Sequence, residues 1–449
     1  MMKRSSKNNT SFREGVFRQS ERHVARYLQT AKTGAVSFSR GMTAPKQGFL
    51  LGALFLGVAS FAYLGAPFLS LRYNAGESSD GAGVFSAFGT DKTKEAQMPK
   101  VISAAHVPIP KPVKALYMTA CAAATPSLRE HIVGLATSSA INAVIIDIKD
   151  YSGTVSFHTG VPELEDSTEN APGCVVKDMK EFVADLHAKD IYVIGRVTVF
   201  QDPYYAPKHP SLAVQRASDR GVWKDRKGIS FVDVSARPYW DHVVLLAKTS
   251  YLAGFDEINF DYVRFPSDGN MKDIYFPASN TLLANDPENG KAEALKAFFV
   301  YLSAALRDTA WLPEGDTGPV LSADLFGMTT TNTDDLNIGQ VLEYVAPYVD
   351  FIAPMVYPSH YPKGFNGYSD PNAHCYDIIK FSMDKAVARM KAIGEDPLKL
   401  RPWLQDFDYP VPYTPGMVSA QIKATYDAGL TSFMLWDPAN KYTPSILND

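Results

Sequence analysis

The chain has 449 residues, too many for one typical domain and enough for one large barrel with appendages. Its 46% hydrophobic and 20% charged residues exclude a disordered or fibrous protein. The net charge of -4 conceals an asymmetry: residues 1–46 carry ten Lys/Arg and two acids, while the remainder carries 34 basic and 46 acidic residues, which argues against a nucleic-acid partner.

In chain order, residues 1–47 form a basic tail. Residues 48–71 follow as an uncharged run, GFLLGALFLGVASFAYLGAPFLSL. About 20 apolar residues in a helix cross a hydrocarbon core of roughly 30 Å. The run exceeds the apolar core of a cleaved signal peptide, which is about 7–15 residues, so it reads as a retained transmembrane helix. The cations precede it, which predicts a cytoplasmic N-terminus and a single-pass protein whose main domain lies outside the cytoplasmic membrane. Residues 72–112 read as a linker, flexible where Gly and Ser dominate and stiffer at VPIPKP.

Residues 113–449 contain eight short apolar runs. They are Ala115–Cys121, Ala143–Asp150, Ile191–Gln201, Asp256–Phe265, Val320–Gly327, Phe351–Tyr357, Leu400–Phe407 and Ser432–Asp437. Helical patterns fall between them, at Ser127–Ser138, Asp178–Lys189, Tyr239–Leu252, Ala292–Asp308, Ile338–Tyr344, Tyr376–Ile393 and Met417–Ala428. Alternating strands and helices predict a parallel sheet, and eight units predict closure into a single (β/α)8 TIM barrel. An open doubly wound sheet is disfavoured because no GxGxxG follows the first strand.

Strand period then sorts the faces. Asp147 and Lys149 share one face of the second strand, Arg196 and Thr198 one face of the third, and Glu257, Asn259 and Asp261 one face of the fourth. Ser322 and Asp324 share a face of the fifth; Arg401, Trp403 and Gln405 share one of the seventh. These polar faces are expected to point into the barrel, where an inert interior would be Val, Ile and Leu. Buried charges need partners, so a site at the barrel mouth is expected.

The runs GFDEINFDYVRFPSDG (Gly254–Gly269), INAVIIDIKDYSG (Ile141–Gly153) and FIAPMVYPSHY (Phe351–Tyr361) resemble a bacterial domain-of-unknown-function family whose members are described as glycosyl hydrolases. KALYMTA (Lys114–Ala120) and VTVFQDP (Val197–Pro203) resemble its first and third strands. The resemblance covers essentially Lys114 to Asp449. It implies a barrel and a carbohydrate substrate, and it brings no residue roles.

Roles therefore come from chemistry. Glycoside hydrolysis needs two facing carboxyl groups, one acting as acid and the other as nucleophile or base. Asp261 and Asp324, late on adjacent strands, are the expected catalytic pair. Arg264 is a cation that could hold Asp261 ionised; the competing reading of Asp261 is a structural ion pair with Arg264 or Arg196. Asp147, Lys149, Arg196, Glu257, Asn259, Arg264, Tyr357, Trp403, Gln405, Trp436 and Asp437 are candidates for substrate contact. Among these, Glu257 also reads as a deep structural partner of Lys149, Arg196 or Arg401, and Asp437 as a turn residue before Pro438. Asp150 could cap the turn Tyr151–Gly153. His360 is a loop histidine able to contact a hydroxyl. No HExxH, zinc-spaced cysteines or phosphate loop is present, so neither metal nor cofactor is expected. Of three cysteines, Cys121 reads as core, leaving Cys174 and Cys375 as the pair that an oxidising compartment could join.

The expectation is a membrane-anchored glycoside hydrolase acting on an envelope or extracellular polysaccharide. The alternative is a non-catalytic glycan-binding barrel tethered to the envelope.

Overall fold

The computed structural model describes residues 104–448. The basic tail, the expected transmembrane run 48–71 and the linker up to residue 103 lie outside the described residues. Among the described residues no helix is long and apolar enough to cross a membrane.

Eight parallel strands close a barrel: β1 (Lys114–Met118), β2 (Ala143–Lys149), β3 (Tyr192–Thr198), β4 (Glu257–Asp261), β5 (Val320–Phe326), β6 (Phe351–Met355), β7 (Trp403–Gln405) and β8 (Phe433–Trp436). Each pairs with its neighbours in sequence, and β8 pairs with β1. The principal connecting helices are α1 (Pro126–Thr137), α2 (Met179–His187), α3 (Arg237–Leu252), α4 (Gly290–Arg307), α5 (Leu342–Val345), α6 (Cys375–Ala392) and α7 (Pro415–Asp427). The helices start where their sequences say they should. Proline opens α1 and α7, where its missing N–H costs nothing, and Thr414 caps α7 by accepting from Met417 N.

The strand alternation divides the core in two. Outward-facing Leu116, Val144, Ile146, Val193, Ile258, Phe260, Leu321, Ala323, Leu404 and Leu435 join the helices in the larger apolar cluster. Close approach of that layer requires Gly195: a Cβ there would lie 2.9 Å from Phe255 Cδ1. Inward-facing Ala115, Tyr117, Ala143, Ile145, Tyr192, Ile194, Ala353, Trp403 and Met434 form a second cluster inside the barrel. The stretch before β1 adds Ile109 and Val113 to this inner cluster and bonds to the ends of other strands, with Val107 N donating to Asp256 Oδ1 (2.9 Å) and Val113 N to Ser432 Oγ (3.0 Å). The loops after β3 and β4 are long, and Gln215–Arg216 of one pairs antiparallel with Ile274–Tyr275 of the other.

Two expectations are corrected here. Lys149 does not share the inward face with Asp147, because the β2–β3 register shifts between them: Asp147 pairs with Arg196 and Lys149 with Val197. This bulge turns Lys149 outward, where its Nζ meets Asp202 Oδ2 (2.8 Å), Thr198 O (2.7 Å) and Tyr239 OH (3.2 Å) of α3. The cysteine pairing also differs. Cys121 is exposed in a short helix, Ala120–Ala124, and bridges to Cys174, with Cα atoms 5.0 Å apart, while Cys375 is free and buried.

Candidate active site

The C-terminal ends of β2 to β5 bring three carboxyl groups onto one guanidinium. Arg196 Nη1 donates to Asp147 Oδ1 (2.7 Å), and Nε donates to Asp261 Oδ2 (3.1 Å), which Nη2 also contacts. The same Nε lies 3.7 Å from Asp324 Oδ2. All four side chains are buried. Asp261 is further held by the backbone N–H of Tyr262 (2.6 Å), a residue in the left-handed region at φ 52°. The cation against Asp261 is thus Arg196; Arg264 Nη1 reaches Phe265 O (3.3 Å) and Ser267 Oγ (3.2 Å).

Three acids around one cation cannot all ionise cheaply. Burial, reinforced by the charge of Asp261, holds the Asp324 carboxyl well above the usual range despite Arg196. Burial also raises Asp147, to about 6, against the pull of Arg196 and of the Tyr117 hydroxyl that donates to Asp147 Oδ2 (2.6 Å). Asp324 is fixed from the side opposite the arginine: Trp403 Nε1 (2.7 Å) and Asn259 Nδ2 (2.9 Å) both donate to its Oδ1, and its Oδ2 has no hydrogen-bond partner.

A second ion pair lies one layer deeper. Arg401 Nη1 donates to both oxygens of Glu257 (3.0 and 3.1 Å), and Ser322 Oγ (2.5 Å) and Tyr192 OH (3.2 Å) complete its contacts. Glu257 and Arg401 are both fully buried, so Glu257 belongs to this floor rather than to the open part of the mouth.

Aromatic rings wall the mouth. Trp436, half-buried, stacks on Tyr117 at 4.0 Å and lies 5.0 Å from the Arg196 guanidinium. Trp403 stands edge-on to both rings, and its indole face is enclosed. Opposite, Tyr357 packs edge-on to Phe407, and burial together with the Asp324 and Asp261 charges pushes its hydroxyl far above the usual tyrosine range. His360 lies beside Tyr357 and Phe407.

Other candidates stand elsewhere. The Gln405 amide is spent on the protein, accepting from Ser359 Oγ (2.8 Å) and donating to Phe407 O and Tyr409 O, so it shapes the loop after β7. Asp437 accepts from Ala439 N (2.6 Å) in the turn after β8, and burial raises it to about 7. Asp150 caps its turn through Ser152 N (2.9 Å). Tyr117 lies on the inward face of β1, where its hydroxyl reaches Asp147. The pairing of Lys149 with Asp202 and Tyr239 had no sequence signal, because it depends on the bulge.

Residues 115–442, which span the barrel, match the family described as "Putative glycosyl hydrolase domain". The chain belongs to this family. The glycosyl hydrolase domain also has similar solved structures. The glycoside hydrolase domain of PgaB (BpsB) from Bordetella bronchiseptica is 13% identical, covers 75% of this chain and 99% of its own, and has a TM-score of 0.54, a likeness of fold. A hypothetical protein from Ruminiclostridium thermocellum is 30% identical over 46% of this chain and 96% of its own, with a TM-score of 0.38. The glycoside hydrolase domain of PelA from Pseudomonas aeruginosa is 14% identical over 74% and 97%, also at 0.38. No curated protein matches.

Proposed function

We propose that this glycosyl hydrolase domain cleaves a polysaccharide of the cell envelope or extracellular matrix, with Asp324 as general acid and Asp261 as nucleophile. The observation that carries this reading is their shared contact. Both Oδ2 atoms lie against Arg196 Nε, at 3.1 and 3.7 Å. They can therefore be at most about 7 Å apart, which admits the retaining spacing of about 5 Å and closes most of the inverting range of about 6.5–9.5 Å. Their surroundings are also opposed: Asp261 carries the guanidinium on two of its N–H groups, while burial keeps the proton on Asp324.

In the first step Asp261 attacks the anomeric carbon as the glycosidic C–O bond breaks, and the Asp324 proton passes to the departing oxygen. In the second, the Asp324 carboxylate takes a proton from water, whose oxygen displaces Asp261 and restores both groups. Trp436, half-buried and backed by Tyr117, supplies a flat face for a sugar ring.

The enzyme works on the outer side of the cytoplasmic membrane, held there by residues 48–71. The Cys121–Cys174 bridge supports an oxidising compartment. The test is release of reducing ends from a panel of envelope polysaccharides by the full chain and by its Asp261→Asn variant, with both proteins checked for folding. The variant is expected to release none; undiminished release would remove Asp261 from the chemistry. Recovery of the full chain in the soluble fraction after cell lysis would remove the anchor.

A further inference from the structure

Four buried groups beneath Asp324 form a chain of fixed polarity. Its start is the Arg401–Glu257 pair, in which the carboxylate takes the Ser322 hydroxyl hydrogen (2.5 Å). With that hydrogen committed, Ser322 Oγ can only accept from Asn259, which lies 3.1 Å away. This settles the orientation of the Asn259 amide: its NH2 faces both Ser322 and Asp324 Oδ1. Turning the amide over would set its oxygen against a serine oxygen with no hydrogen to give, and would leave Nδ2 in the place where Oδ1 now has no partner. Trp403 Nε1, which can only donate, occupies the same Asp324 Oδ1 at 2.7 Å.

We propose that Ser322, Asn259 and Trp403 are positioning residues that fix the catalytic proton on Asp324 Oδ2, the one oxygen of that carboxyl that lacks a protein partner. Two donors on Oδ1 exclude a proton there. Oδ2 faces Arg196 Nε at 3.7 Å, a donor that cannot accept the proton. The proton therefore stays available to a glycosidic oxygen entering on the Asp261 side. The deep Glu257–Arg401 pair acts at a distance: it sets the Ser322 hydroxyl, which sets Asn259, which sets the acid. The inference rests on the reading of Asp324 as general acid.

The test uses the full chain and its Ser322→Ala, Ser322→Thr, Trp403→Phe and Asp324→Asn variants. The first readout needs no substrate. The indole N–H resonance of Trp403, identified by its loss in Trp403→Phe, reports ionisation of Asp324 as pH rises. Without the serine hydroxyl, Asn259 can turn its carbonyl to Asp324 Oδ1, which stabilises the protonated form and removes a donor from the carboxylate. The midpoint should then rise by about one pH unit in Ser322→Ala and return in Ser322→Thr. The second readout is the pH profile of kcat on an aryl glycoside with a weakly acidic leaving group, which needs the proton to depart and which the wild-type protein hydrolyses. Ser322→Ala and Trp403→Phe should each lower kcat about 10-fold, leave KM within about 2-fold and move the alkaline limb upward. Should Ser322→Ala fail to fold, Trp403→Phe carries the same kinetic prediction, because it removes the other donor. An unmoved midpoint and limb, with Asp324→Asn inactive, would overturn the proton-placing chain alone. Wild-type turnover by Asp324→Asn would overturn the acid assignment beneath it.

Discussion

Two buried arginines stand one layer apart inside this barrel, and they keep different company. Arg401 sits at the floor on a single carboxylate, Glu257, with both members fully enclosed. Arg196 sits at the mouth among three, Asp147, Asp261 and Asp324. The lower layer is balanced in charge, one cation on one carboxylate. The upper layer has more acid than its cation can satisfy, and it holds the surplus as protons. Burial in the same barrel thus gives a structural pair in one layer and a titrating site in the other, and the stoichiometry of acid to cation makes the difference.

The largest expected effect tests the upper layer. Asp324→Asn should lower kcat by about 10²–10⁴-fold on a polysaccharide, whose departing oxygen needs a proton. On an aryl glycoside with a strongly acidic leaving group, which departs without one, the loss should shrink at least about tenfold. Comparing kcat on the two substrates checks this. Equal losses would mean that Asp324 does not supply the proton, and the contrast between the layers would lose its chemical meaning.

The next effect tests the lower layer. Glu257→Ala strands the Arg401 guanidinium away from water and should cost about 3–5 kcal/mol of stability. Replacing both members with apolar residues of similar volume, as in Glu257→Leu with Arg401→Met, should recover much of that loss, because an uncompensated charge no longer remains. Urea unfolding of the single and double variants would show it. If Glu257→Ala unfolded at the wild-type midpoint, the floor pair would not be structural.

Much of this architecture was legible in the sequence. VLSADLF alternates so plainly that its two faces could be read directly, and the eight apolar runs set the eightfold count. The inward set Arg196, Glu257, Asn259, Asp261 and Asp324 followed from period two alone. Partnership did not follow. That Arg196 serves Asp147 and Asp261 together, and that Arg401 takes Glu257, depends on heights across the barrel that no single strand encodes. The bulge at Asp147–Lys149 defeats period two outright, since one extra residue sends Lys149 to Asp202 and Tyr239 on the outer face. Cys121 ends an apolar run and so reads as core, yet the chain turns into a helix at Ala120 and exposes it to Cys174.

The smallest expected effect returns to the upper layer and asks whether its surplus protons are real. Asp147 is raised to about 6 by burial, above the ordinary carboxylate value. A carboxyl that holds its proton more tightly when folded favours the fold at low pH. That contribution is present below the unfolded value near 4 and is lost as pH rises to about 6, after which it stays constant. Asp147→Asn cannot ionise, so it should gain stability relative to the wild type across this window, by up to about 3 kcal/mol if the full shift is realised. The Tyr117 hydroxyl still has an amide oxygen to meet at that position, so the packing of the wall is retained. Thermal unfolding of both proteins at pH 4, 5, 6 and 7 would measure the difference. A stability gap that is flat with pH would show that folding does not raise the Asp147 carboxyl above its unfolded value. The surplus proton at the mouth would then reside on Asp324 alone.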